Sequence, residues 1–247
     1  MAPTRKLDDV PSGSAVANGV RAKRLKPGER RVQILQTLAT MLETPKNEKI
    51  TTAALAAQLE VSEAALYRHF ASKAQMFEGL IEFIEQTIFG LVNQITTKEP
   101  NGVLQARAIA LMLLHFAAKN PGMTRVLTCE ALVGEHARLT ERVNQLLERV
   151  EASLKQCLRL GWQEASRAEA AEASAAQEAT ALAAPALPAA VPVALPTAVP
   201  LPAGYDAALR ASLVLSYIIG RWHRYVRSGF ARAPDEQADA QLRLILQ

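Results

Sequence analysis

Residues 62–73 read SEAALYRHFASK, and four of their side chains can donate to an anion: Tyr67, Arg68 and His69 in succession, then Lys73 about one helical turn further on. Donors of these types bind phosphate oxygens and set a protein's register on a nucleic-acid backbone without reading its sequence. Just ahead of them, Ala64 and Ala65 are small enough to let a helix approach base edges, where alanine methyls can touch thymine methyls. Glu63 shares the outward face with Ala64, Tyr67 and Arg68. The chemistry on offer is therefore non-covalent recognition of duplex DNA.

These side chains need a rigid mount, and residues 51–70, TTAALAAQLEVSEAALYRHF, supply one. Thr51 or Thr52 is a good N-cap, and Leu55 and Leu59 share one face of a two-turn helix. Glu60-Val61 makes a tight turn, and Ser62 caps a second helix. Val61 and Leu66 flank that cap at hydrophobic-staple spacing, which fixes the angle between the helices. Leu66 and Phe70 point back to a core. The pattern predicts a helix-turn-helix whose second helix enters the major groove. Its DNA-facing set comprises Thr51, Thr52, Ser62, Glu63, Ala64 and Ala65, then Tyr67, Arg68, His69 and Lys73. Lys73 opens the next helix, where the macrodipole disfavours a cation, so a nearby phosphate would offset the penalty.

The flanking segments read as helices. Ile34, Leu35, Leu38, Met41 and Leu42 mark an apolar face over about Glu29 to Leu42. Ser72 and Gln75 have capping-box spacing ahead of a stripe of Met76, Leu80, Ile84 and Ile88. A helix over Val103–Lys119 is apolar nearly all round, as suits an element buried on several sides. Asn120-Pro121-Gly122 is a break. Leu139, Val143, Leu146, Val150, Leu154 and Cys157 follow heptad-like spacing over about Ala137 to Leu160. Gly161 offers a C-cap there, and the alanine-rich stretch beyond Trp162 offers a continuation instead. Two last helices are expected at about Tyr205–Ser228 and Pro234–Leu246, with Leu209, Leu213 and Tyr217 on a face suited to packing or dimerisation.

Composition agrees with an all-α chain. Aromatics make up 5% of the 247 residues and β-branched runs are rare. The net charge of +4 matters less than its placement, because Arg21, Lys23, Arg24, Lys26, Arg30 and Arg31 crowd together and can add salt-dependent affinity for phosphates. Residues 1–27 are expected to be a disordered basic arm. Prolines recur through PALPAAVPVALPTAVPLP, which predicts a semi-extended linker at 185–202 inside an Ala/Pro-rich insertion of about 163–204. Cys129 and Cys157 lack metal or disulfide spacing, so no metal or cofactor is expected. Without a signal-peptide pattern, and with the longest apolar run far short of a span, a soluble cytoplasmic protein off the membrane is expected. No HExxH, P-loop, GxSxG or dinucleotide fingerprint points to catalysis, and His69, His115, His136 and His223 do not cluster. His115, in an apolar helix, is expected in the core.

VSEAALYRHFASKAQMFEGL resembles the TetR-type helix-turn-helix and the start of the helix after it. LIEFIE, NPGMTRVLT, RVNQLLERVEASLKQ and YVRSGF are similar to the nucleoid occlusion branch of that family, so the resemblance spans residues 30–160 and 205–247. It implies a TetR-like fold, with a three-helix DNA-binding domain at 28–88 and a helical dimerisation and partner domain at 89–247. It implies a nucleoid-associated homodimer that places its recognition helices in successive major grooves of a palindrome, ~34–36 Å apart. It also implies antagonism of the tubulin-like GTPase FtsZ through Phe83, Lys119 and Asn120. Each has a plainer role open to it: Phe83 in the core, Lys119 solvated, Asn120 ending a helix. The chain departs from the pattern in its longer N-terminal arm and in the Ala/Pro-rich stretch. A ligand-responsive repressor of the same fold, with Leu111–Phe116 lining a pocket, and an architectural nucleoid protein are the alternatives.

Overall fold

Polar caps set where most of the helices begin. Thr51, Ser62, Ser72 and Asn101 each adopt extended backbone and accept a hydrogen bond from the amide three residues on, and Asp206 accepts from the second and third. In the computed structural model, which describes residues 27–44, 50–182 and 205–247, these caps start α2 (Thr52–Gln58), α3 (Glu63–Tyr67), α4 (Lys73–Lys98), α5 (Gly102–Lys119) and α8 (Ala207–Arg227). α1 (Pro27–Leu42) begins on a proline, whose missing amide costs nothing at a first helical position. α6 (Pro121–Leu127) does the same. α7 (Ala137–Leu182) and α9 (Ala238–Leu246) complete the described α-helices, and a 3-10 turn at Glu130–Leu132 lies between α6 and α7. The expected basic arm, up to residue 26, and the proline-rich linker lie outside the described residues.

α1, α2, α3 and the start of α4 close around Ile34, Leu38, Leu55, Leu66 and Phe70, each at most 2% exposed. The rest is a bundle with α5 at its centre, packed by α4, α7, α8 and α9. By length and apolarity alone α5 could cross a membrane, but Ile109, Ala110, Leu113, Leu114 and Ala117 are wholly buried, so its apolar surface goes into the core. The heptad positions of α7 from Leu139 to Cys157 are all buried as well. His115, by contrast, is exposed on α5, with Nε2 3.5 Å from Asp235, so the expected core histidine is a surface one.

α7 does not stop at Gly161. That glycine is a contact residue: a Cβ there would lie 2.6 Å from Val103, and one on Gly102 would lie 2.2 Å from the Cys157 carbonyl. Two facing glycines let the backbones of α5 and α7 touch, a close approach that side chains would prevent. One turn further on, Glu164 accepts from the Gly102 amide at 3.1 Å and caps α5 from outside. α7 then continues to Leu182, so the first part of the expected insertion is helical. From Ser166 to Gln177 nearly all its side chains are exposed. Alanine's high helix propensity explains why a stretch with so little packing stays helical.

A buried carboxylate ties α4 to α7. Glu85, 9% exposed, accepts from Arg142 at 2.9 Å and from Arg149, whose guanidinium also lies 4.2 Å from the Phe89 ring centroid. The N-terminal helices join the bundle through α6. A Cβ on Gly122 would sit 1.9 Å from the Ala39 carbonyl, and Arg125 donates to the carbonyls of Leu42 and Thr44 at 3.0 and 3.2 Å. Gly122→Ala should therefore cost about 3 kcal/mol or more, because neither backbone can yield. Gly90→Ala, with nothing within 4 Å, should gain about 1 kcal/mol from helix propensity. Urea unfolding of the two variants beside the parent protein measures both.

Candidate nucleic-acid interface

α2 and α3 are short, so their stability rests on caps and on the turn between them. The Thr51 hydroxyl accepts from the Ala54 amide at 3.1 Å and that of Ser62 from Ala65 at 3.3 Å. In the turn, Glu60 adopts φ 55°, the left-handed region, and the amides of Glu60 and Val61 return to the carbonyls of Ala57 and Ala56. This is the helix-ending geometry that glycine usually provides. Val61 and Leu66 pack against the core as the staple requires.

The face of α3 turned away from Leu66 is open. Glu63, Ala64, Tyr67 and Arg68 are exposed, Tyr67 by 45%, while Ala65 and His69 are half-buried. Two of these residues are engaged with α2: the Thr52 hydroxyl donates to Glu63 at 2.6 Å, and the Tyr67 hydroxyl reaches the Thr52 oxygen at 3.5 Å. The first bond pins Glu63 and makes it a brace between the two helices. The second is too long to hold Tyr67 firmly, which leaves its hydroxyl able to reach another acceptor. Ala64 presents its methyl beside Arg68, an arrangement that suits a base edge flanked by phosphate.

Two contributors escaped sequence reasoning. Arg31 of α1 lies over the Phe70 ring, 4.2 Å from its centroid, and donates to the His69 carbonyl at 3.1 Å, which steadies the end of the recognition segment. Its place in the basic cluster gave no sign of this. The other is Glu135, whose carboxylate lies 2.5 Å from Lys73 Nζ, with side chains 15% and 28% exposed respectively. The charge that offsets the macrodipole penalty on Lys73 is thus already present within the chain. The capping box also differs in detail. Ser72 accepts from the Gln75 amide, but the Gln75 side chain accepts from the Ala71 amide at 2.8 Å, one residue earlier than the pattern implies.

α4 and α5 form a hairpin through residues 99–101, so α5 runs back along α4. Both rise ~1.5 Å per residue, which returns Lys119 to about the level of Phe83. Phe83 is half-buried against the core, Lys119 is exposed, and the Asn120 side-chain amide donates to the Phe116 carbonyl at 2.7 Å. Nearer the turn, Leu91, Gln94, Ile95 and Lys98 of α4, the following Glu99, and Ala108 and Met112 of α5 line a cleft of about 350 Å³ with an apolar floor. Leu113 and Leu114, placed by sequence in a possible ligand pocket, are fully buried core residues.

Residues 48–80 match the family described as bacterial regulatory proteins, tetR family, and residues 101–181 match the SlmA-like tetracyclin repressor-like C-terminal domain. The nucleoid occlusion factor SlmA of Idiomarina loihiensis is 44% identical over 218 residues, covering 88% of this chain and 94% of that protein. Its Alteromonas mediterranea counterpart is 43% identical over 217 residues, with coverage of 88% and 94%. Among solved structures, a TetR transcription regulator from Haloarcula marismortui overlays with a TM-score of 0.65 at 14% identity, covering 89% of this chain and 97% of that one. FadR from Bacillus subtilis, solved with stearoyl-CoA, overlays at 0.61 and 12% identity over 87% and 97%. At such identities the overlays speak for the fold alone. Replacing Glu60 with glycine should stabilise the protein by about 1 kcal/mol by removing left-handed strain, read as a raised thermal midpoint with an unchanged far-UV spectrum.

Proposed function

Because the chain belongs to the SlmA family of TetR-type DNA-binding proteins, we propose that it binds palindromic DNA as a homodimer and restrains FtsZ assembly over the nucleoid. The observation that carries the DNA half is the open α3 face: Ala64, Tyr67 and Arg68 are exposed on a capped, braced helix. Ala64 approaches a base edge, while Tyr67, Arg68 and Lys73 hold phosphates. Thr51 and Ser62 serve mainly as caps, and Thr52 and Glu63 as the brace. Residues 28–88 act as the DNA-binding unit and 89–247 as the dimerisation and partner unit. Pairing of two copies draws support from Leu209 and Leu213 of α8, 61% and 52% exposed, and Leu244 of α9, 72% exposed. Large leucines left open on adjoining helices suit a second protein surface better than water.

The FtsZ half rests on the α4–α5 hairpin. Phe83 and Lys119 stand at similar height on it, and the apolar cleft beside Met112 offers a short segment somewhere to seat a side chain. Asn120 acts by ending α5 and setting the position of Lys119. In this reading the DNA surface begins at the first turn of α4, and the FtsZ surface runs from Phe83 along the hairpin towards the cleft.

Arg68→Ala should weaken binding to all duplexes and flatten the log–log salt dependence by ~0.9 per subunit, the release expected for one phosphate. Fluorescence anisotropy across a salt series measures this, and an unchanged slope removes Arg68 from the phosphate contacts. Lys119→Glu, outside the recognition segment, should abolish co-sedimentation with GTP-assembled FtsZ in the presence of a selected palindrome while leaving DNA binding intact. Pelleting equal to that of the parent protein would sink the role of Lys119.

A further inference from the structure

We infer that Glu135 is a built-in competitor for DNA at Lys73, a carboxylate that must release this lysine before it can bind a phosphate. The inference rests on the DNA-binding reading above and assigns to that surface a residue 62 positions away from Lys73 in the chain. Lys73 is the first residue of α4, immediately after the recognition segment, and its Nζ is 2.5 Å from Glu135. Glu135 lies in the connection between α6 and α7, just after Gly134 at φ 77°. One turn along, Arg138 of α7 meets Glu78 of α4 at 2.6 Å, so the connection is held against α4 by two ion pairs. Glu78 and Arg138 are each other's partners, which leaves Lys73 as the one cation paired with Glu135 among the described residues.

Phosphate and carboxylate are both oxyanions and need the same face of the ammonium. When DNA arrives, either Lys73 stays with Glu135 and a negative charge remains close to the backbone, or Lys73 moves and leaves a largely covered carboxylate without its partner. Both routes lower affinity, and both do so for any sequence, because phosphate contacts carry no base information. Glu135 thereby lowers the sequence-independent share of binding and leaves the contacts of Ala64 untouched. A helix-opening lysine that the macrodipole disfavours is thus stable in the free protein and available in the complex.

The test is a double-mutant cycle with Glu135→Gln and Lys73→Gln, singly and together. Anisotropy is read on a selected palindrome and on an unrelated duplex at physiological ionic strength, where the screening length is about 8 Å. Glu135→Gln should tighten binding by about threefold per subunit, near tenfold for a dimer, the scale of a partly exposed ion pair. It should do so on both duplexes. In the Lys73→Gln background the same change should give little or nothing. An equal gain in both backgrounds means general charge repulsion and overturns the inference, as does no gain in either while Arg68→Ala still weakens binding. Glu135→Asp, which retains the charge but shortens the reach, should tighten binding less than Glu135→Gln; equal tightening also counts against the ion pair. Failure of the parent protein to bind any duplex would overturn the DNA-binding reading itself, a result distinct from all of these.

Discussion

The contact between the Gly122 backbone and the Ala39 carbonyl governs the rest of the molecule. It allows no side chain, so α1 and α6 meet backbone to backbone, and Arg125 locks the meeting by holding the carbonyls of Leu42 and Thr44. α1 in turn carries Arg31, which steadies the end of the recognition segment. The orientation of α3 against the bundle thus passes through rigid backbone and few flexible side chains. Long α4 supplies the second tie, with Lys73 of its first turn paired to Glu135 and Glu85 pinned to α7 further along.

Local signals in the sequence were enough for the helix-turn-helix. A cap bonds to an amide three residues away and a staple spans five, so Thr51, Ser62, Val61 and Leu66 reveal themselves within one short window. The apolar stripes of α4 and α7 were equally legible, since burial on one face imposes the helical period. What escaped the reading lies across long separations. Nothing near Lys73 announces Glu135, and nothing near Glu85 announces Arg142 and Arg149. Gly161 shows the same limit: beside a predicted helix end a glycine reads as a cap, and only the facing Gly102 reveals that it makes room for a crossing. His115 reversed expectation because a helix apolar nearly all round still turns one edge to solvent, and Asp235 waits there.

One helix joins the two surfaces of interest. α4 has 26 residues, a rod of ~39 Å that begins beside the recognition helix and ends at the apolar cleft. Its buried face is filled by Met76, Leu80, Ile84 and Ile88. That leaves its two ends and outer edge open, with the Lys73–Glu135 pair at the first turn and the cleft beside Met112 near the last.

The far end of α7 stands apart from all this. Up to Glu164 the helix is held by α5, but from Ser166 to Gln177 nearly all its side chains are exposed. This stretch pays no nucleation cost, because the packed part already provides the nucleus, and alanine's slight preference for the helix favours each turn. Such a segment unwinds from its tip, a residue at a time, with no shared threshold. On warming, the protein should lose ellipticity in a steady slope well before its core melts, and that slope belongs to the alanine tract and not to a loosening of the bundle.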